Sequence, residues 1–181
     1  MPKLWNDTIA THRSAVREAV LDATAEVVTE RGLTGVTMAE VAQRAGVGRA
    51  TLYKYFADVD SLLTAWHERQ VADHLEQLSK TWERTHRIDD VLEVYAFICH
   101  EHPPSEPAGS LHRSEQVMRA RQHLVDFIAD RLGDVRDDVP PKELAAYCVN
   151  ALHAASAVPS KAAVRRLVAV TLTGLRGQAA R

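Results

Sequence analysis

The sequence predicts an all-α fold of about nine helices in two parts: an N-terminal three-helix unit over residues 10–70 and a larger helical domain over residues 71–181. Three observations carry that expectation. Apolar residues recur at three- and four-residue spacing, as in Val16, Ala19, Val20, Ala23 and Val27. Helix start and stop signals bracket the periodic runs: Thr37, Asp58 and Ser160 suit N-caps, and Gly32, Gly46 and Gly133 suit helix ends. The length of 181 residues with 46% hydrophobic content suits one or two compact domains with a sizeable core.

Charge and cysteine content narrow the function classes. Formal net charge is -2, so the chain is no polycation. Residues 1–56 hold seven Lys/Arg and six Asp/Glu, a net of +1, against fifteen and eighteen, a net of −3, in the remainder. That asymmetry has the sign of a nucleic-acid-binding end but is too small to decide alone. Two cysteines, Cys99 and Cys148, cannot supply a disulfide framework or a four-thiolate zinc site. No apolar run reaches the ~18 residues of a membrane span, and the start lacks a signal-peptide core, so a cytoplasmic address is expected.

Taken in order, Met1 to Thr11 reads as a loose arm containing Lys3 and Trp5. A first long helix is expected from about Thr11 to Arg31, with Val16, Ala19, Val20, Ala23, Val27 and Val28 inward and Gly32 as its stop. Next comes the most informative stretch, Gly32 to Leu63. Thr37 with Glu40 three positions on is a capping box. Met38, Val41 and Ala42 then share one face, and Gly46 stops the helix. Val47 plugs the turn. A second short helix runs from Gly48 or Arg49 to Phe56, burying Leu52 and Phe56. Its other side carries Arg49, Ala50, Thr51, Tyr53, Lys54 and Tyr55, a face of donors. Two short helices in this arrangement read as a helix-turn-helix, whose second helix enters the major groove of DNA. Arg49 suits a base edge, while Tyr53 and Lys54 suit the backbone and Thr37 and Arg44 are poised towards phosphates. The N-terminal arm has a matching functional reading, contact with the DNA backbone or minor groove, beside the plainer one of a disordered terminus.

On Gly32, Thr37, Ala39, Val41, Ala42, Ala45, Gly46, Val47, Thr51, Leu52, Tyr53, Phe56 and Leu62 the stretch resembles the TetR family of transcriptional regulators. The resemblance covers roughly the first third of the chain; beyond it only the helical pattern and length agree. It implies that the first helix supports the helix-turn-helix and that the fourth connects the DNA-binding and effector domains. One departure stands out. Many relatives carry a phosphate-contacting lysine where this chain has Val59, so one backbone anchor is missing.

Asp58 can N-cap the fourth helix, with Asp60 against its dipole, and Leu62, Leu63, Trp66, Leu75, Leu78 and Trp82 mark its course to about Thr85. A fifth helix, Ile88 to His100, turns Val91, Leu92, Tyr95, Ile98 and Cys99 inward. Three prolines and a glycine between His102 and Ser110 make a loop, and a short helical piece is expected at Leu111 to Glu115. Another helix spans Glu115 to Leu132, burying Val117, Leu124, Phe127 and Ile128. Pro141 then opens the eighth helix, which runs to about Val158, and Lys161 to Gly177 forms the ninth. The eighth is rich in alanine, while Val164, Leu167, Val168, Leu172 and Leu175 give the ninth a broad aliphatic face. Such a hairpin can serve ordinary packing within one chain or pair with its twin in a four-helix bundle. The family resemblance implies the second, a homodimer; Arg165 and Arg166 are expected on the solvated face of the ninth helix.

Other chemistry is weakly signalled. Cys99, His100 and His102 lie close in sequence, but His100 and His102 point to different helix faces and no second cluster completes a metal site. Cys148 sits among apolar neighbours as a small hydrophobe. No GxSxG, HExxH or glycine-rich phosphate loop occurs, so no enzyme and no cofactor is expected. Trp66, Tyr95, Cys99, Phe127 and Tyr147 come from the four helices that surround the effector cavity in TetR-like proteins. They are the candidates for a small-molecule pocket, with simple core filling as the competing role. The expected function is a DNA-binding regulator, most simply a repressor released from a palindromic operator by a small molecule. The alternative is a helical binding protein of the same fold without operator binding.

Overall fold

Helices account for every long element among the described residues of the computed structural model, which are residues 2–102 and 115–176, the side chains of residues 2–10 and 116 excepted. There are eight: α1 (Pro2–Arg31), α2 (Met38–Arg44), α3 (Arg49–Tyr55), α4 (Val59–Thr85), α5 (Ile88–Glu101), α6 (Glu115–Ala129), α7 (Pro141–His153) and α8 (Lys161–Arg176). Short 3-10 turns occupy Leu33–Gly35 and Ala154–Ala157. The all-α expectation holds. The proline-rich segment and the expected helical piece before Glu115 lie outside the described residues, as does Gly177.

Two compact units divide the chain, one ending at Gln70 and one beginning at Val71. In the first, Val20, Leu21, Val27, Val36, Val41, Leu52, Phe56 and Leu62 are buried. In the second, one cluster joins Val91, Leu92 and Ala96 of α5, Leu124 and Ile128 of α6, Leu144, Cys148 and Leu152 of α7, and Val164, Val168 and Leu175 of α8.

Three boundaries differ from the sequence reading. The supposed loose arm is helical from Pro2, because proline at a first helical position loses no hydrogen bond and its φ is already set. The eighth expected helix ends at His153, where the Ser156 hydroxyl donates to the His153 carbonyl at 2.9 Å and the chain tightens into the 3-10 turn. The helix expected to reach Leu132 ends at Ala129; the Arg131 and Leu132 amides both return to the Ile128 carbonyl, at 2.9 and 3.0 Å. The broad aliphatic face of the last helix also has a different use. Val164, Val168 and Leu175 are buried in the chain's own core, and Leu167 and Leu172 pack against it. What α8 turns outward is Ala162, Arg165, Arg166, Ala169, Val170 and Thr173.

Candidate nucleic-acid interface

Local chemistry builds the helix-turn-helix. The Thr37 hydroxyl oxygen accepts from the Glu40 amide at 3.3 Å and caps α2. At the other end Gly46 adopts φ +65°. Its amide donates to Gln43 O at 3.2 Å and that of Val47 to Ala42 O at 3.0 Å, a Schellman ending. Glycine is required there because a Cβ would oppose that left-handed backbone. Two residues later α3 begins, with the Thr51 and Leu52 amides bonded to Gly48 O at 2.9 and 3.0 Å.

Burial then divides α3 into two faces. Leu52 and Phe56 are buried against the small core, with 0% and 5% exposure. Arg49, Ala50, Tyr53 and Lys54 face solvent, and Thr51 and Tyr55 are half-buried. Tyr53 is 54% exposed, its ring open to solvent. No acidic residue occurs in α3. The face therefore offers guanidinium, ammonium, phenol and hydroxyl groups with no carboxylate among them.

Arg44 stands differently. Its guanidinium meets Glu30 of α1 through two bonds of 2.8 and 2.5 Å and Glu40 at 3.0 Å, with Glu26 at 3.9 Å. The bond to Glu30 holds the guanidinium in its charged form, and the same bond keeps the Glu30 carboxyl below the usual carboxylate range. Glu40 also takes Arg31 at 2.5 Å, so its carboxylate faces arginines while only the Thr37 half of the expected capping box is seen. Arg69 of α4 reaches back to Glu18 and Asp22 of α1 at 3.1 and 2.8 Å. Sequence reading missed this pair and Arg44's role, because nothing local marks partners 47 or 14 positions apart. It also missed Leu21 and Thr24, both 0% exposed on α1.

At the start of α4 the Ser61 amide donates to Asp58 Oδ1 at 2.7 Å, and the Asp58 amide to Ser61 Oγ at 3.2 Å. The backbone bond holds the Asp58 carboxyl below its ordinary range. Val59, half-buried, is the first residue of that helix.

The five pocket candidates do not share one surroundings. Trp66 lies in the first unit, 8% exposed, with an indole N–H buried and unpartnered among the described residues. Tyr95 and Cys99 lie together on α5, the Tyr95 hydroxyl 3.4 Å from the Val149 carbonyl of α7. Burial raises the pKa of both groups, as it does for Cys148, pushed up to about 12, so the thiols stay protonated near neutrality. Phe127 packs against the core under the Arg131 guanidinium, which lies 3.8 Å from its centroid and 5.4 Å from that of Trp82. Tyr147 is 47% exposed and lies against Gly174 of α8. A charged groove of about 520 Å³, lined by Asp73, Glu76, Gln77, Lys80, Thr81, Arg84 and Val94, includes none of the five. Among the described residues no three His, Cys, Asp or Glu groups are placed to hold a metal, and no helix is long and apolar enough to cross a membrane.

Comparison with known proteins agrees with this geometry. Residues 20–65 match the family model for bacterial regulatory proteins of the tetR family. The chain is 31% identical over 109 residues to the HTH-type transcriptional regulator BetI of Paraburkholderia phytofirmans, covering 60% of this chain and 52% of that protein. BetI of Burkholderia thailandensis is 43% identical over 65 residues, 36% of this chain and 30% of that one. The chain thus spans about half the length, or less, of these curated relatives. Among solved structures, a TetR-family transcriptional regulator from Pectobacterium atrosepticum superposes with a TM-score of 0.74 at 20% identity, over 92% of this chain and 95% of the other. FadR from Bacillus subtilis, solved in complex with stearoyl-CoA, gives 0.63 at 12% identity, over 87% and 98%. The capped and glycine-stopped α2, the carboxylate-free α3 and the matched window from α1 into α4 agree: residues 20–65 are similar to the bacterial regulatory proteins of the tetR family, and the fold is similar to that of the solved TetR-family regulator.

Proposed function

We propose that this chain is a DNA-binding transcriptional regulator, a repressor released from a palindromic operator by a small molecule and acting as a homodimer. The observation that carries the reading is the outward face of α3, on which Arg49, Ala50, Tyr53 and Lys54 are exposed with no acidic residue in the helix. In the proposed complex Arg49 reads a base edge, Ala50 and Thr51 approach the groove, and Tyr53, Lys54 and Tyr55 touch sugar and phosphate. Thr37 stands at the start of α2 for a further phosphate. Arg44 serves as a strut to α1, since its donors already face three glutamates.

Two copies would pair through α7 and α8. Glu143, Tyr147 and Asn150 make an exposed stripe on α7 that continues to Ala154 of the 3-10 turn, and Ala162, Arg166, Ala169 and Thr173 make one on α8, each at helical spacing. The small side chains of Ala154, Ala162, Ala169 and Thr173 would let two helical hairpins approach there, and Val170, 65% exposed, supplies an apolar contact. The effector would bind in the helical unit near Tyr95, Cys99 and Phe127. FadR's complex with stearoyl-CoA supports a small-molecule role for this fold. Tyr147 at the surface is the weakest candidate of that unit, and Trp66 of the first unit keeps an indole N–H of its own that is unpartnered among the described residues.

Coupling needs only that the ligand favour one of two states; linkage then weakens operator binding, typically by about 1–3 kcal/mol. Because α4 is unbroken from Val59 to Thr85, it carries residues of both units and is the natural element to respond. A mobility-shift assay with the chain's own upstream DNA tests the reading. A discrete complex, lost when Arg49 and Lys54 are both replaced by alanine, is expected. Absence of any complex would favour the binding protein without an operator.

A further inference from the structure

We infer that Arg17, with Arg13 one turn before it, is a phosphate anchor of the DNA-reading unit, placed on α1 and outside the helix-turn-helix. This rests on the regulator reading above and adds to it a contact surface on α1.

Several carboxylates of the first unit already hold an arginine. In the first unit Glu18 and Asp22 take Arg69, and Glu26, Glu30 and Glu40 take Arg44 and Arg31. Arg13, Arg49 and Lys54 have no carboxylate partner among the described residues. For Arg17 the nearest carboxylate is Glu18 at 3.7 Å, which is closer to Arg69, at 3.1 Å. The acidic groups of the first unit therefore hold chiefly its struts, leaving Arg13, Arg49 and Lys54 without a carboxylate partner among the described residues and Arg17 with only the longer contact to a shared Glu18.

Position then singles out Arg17. Its Cζ lies 5.8 Å from the ring centroid of Phe56, the residue that directly follows α3. A guanidinium held by its face over an aromatic ring keeps its N–H edges free, and those edges match phosphate oxygens. The side chain is 44% exposed, so the edges reach solvent. Arg13 is exposed and four residues earlier, hence on the same side of the helix. The neighbouring start of α4 offers an anion little: Val59 is apolar, and the Asp58 carboxylate already holds the Ser61 amide. Arg17 supplies positive charge on the side where α4 brings none.

Salt dependence is the deciding measurement, since each phosphate neutralised contributes about 0.9 to the slope of log K against log salt. A labelled duplex of the chain's own upstream region is titrated by anisotropy at several salt concentrations. Arg17→Ala should flatten the slope by about 0.9 relative to wild type, and Arg13→Ala with Arg17→Ala by up to about 1.8. Arg17→Lys should restore most of the slope, because it keeps the charge. Arg119→Ala, on α6 of the second unit, should leave it unchanged. Arg17→Gln keeps a stem over Phe56 without the charge, so it decides the matter if the alanine variant does not fold. Wild-type binding together with an unaltered slope in folded Arg17→Gln overturns this inference and leaves the regulator reading intact. Failure of the wild type to bind any DNA in a salt-dependent way overturns both.

Discussion

Arg44 and Glu30 form a two-pronged ion pair across the α1–α2 contact, Nη1 to Oε1 at 2.8 Å and Nη2 to Oε2 at 2.5 Å. Parallel bonds of this kind fix orientation as well as distance, so they set the angle at which α2 leaves α1. A phosphate would have to compete with Glu30 and with Glu40 for the same donors. Arg44→Ala is therefore expected to lower the melting temperature while leaving the salt slope of DNA binding at its wild-type value. Calorimetry and anisotropy on the same variant check both halves. A slope flattened by about 0.9 would instead make Arg44 a phosphate contact.

Arg49 has the opposite character, being exposed, on α3 and without a carboxylate partner among the described residues. Replacing it with alanine should cost about 1–3 kcal/mol at the preferred base and relax the preference there. Lys54→Ala should weaken all sequences alike. Selection of binding sites from a randomised half-site distinguishes the two, and an unchanged preference in the Arg49 variant would remove it from base reading.

The outward stripe of α8 predicts which substitutions separate assembly from folding. Val170→Glu places a charge where the single chain is already open to solvent, so the chain should fold normally and sediment as a monomer. Leu172→Glu puts its charge against the chain's own core and should destabilise folding itself, by a few kcal/mol. A stable dimer of the Val170 variant would place the interface elsewhere.

These contrasts show which features the sequence made legible. Thr37, Gly46 and Asp58 act through amides within five residues, and a residue type at a fixed offset announces such bonds. Periodicity likewise reveals that Leu52 and Phe56 face inward, because any helix there must hide them. It does not reveal what covers an apolar stripe. Val168 and Leu172 have the same spacing whether they meet their own α5 and α7 or a second copy, so the internal use of that face became visible only in three dimensions. The roles of Arg44, Arg69 and Arg17 were hidden for a related reason. Each depends on a partner brought close by the tertiary fold, and an arginine in a sequence reads the same whether it holds a helix or awaits a phosphate.

His74 gives the second unit a pH dependence with a definite sign. Its ring, half-buried on α4, lies 4.9 Å from that of His102 at the end of α5. Burial, and then the charge on His102, lowers its pKa from 6.5, opposed only by Asp73 beside it. A lowered value means that the native state binds the proton less readily than the unfolded chain. Stability should thus be highest above pH about 6.5 and should fall as the pH drops through that value towards the native pKa. One proton limits the slope to about 1.4 kcal/mol per pH unit, and a half-buried ring should give less. The carboxyls of Glu30 and Asp58, held below 4.5 and 3.8, lose their contributions only at lower pH, so the two effects occupy different windows. Denaturation at pH about 7.5, 6.5 and 5.5 should therefore show a decline in the wild type that is smaller in His74→Gln. Equal declines in both proteins would assign the pH dependence to another group.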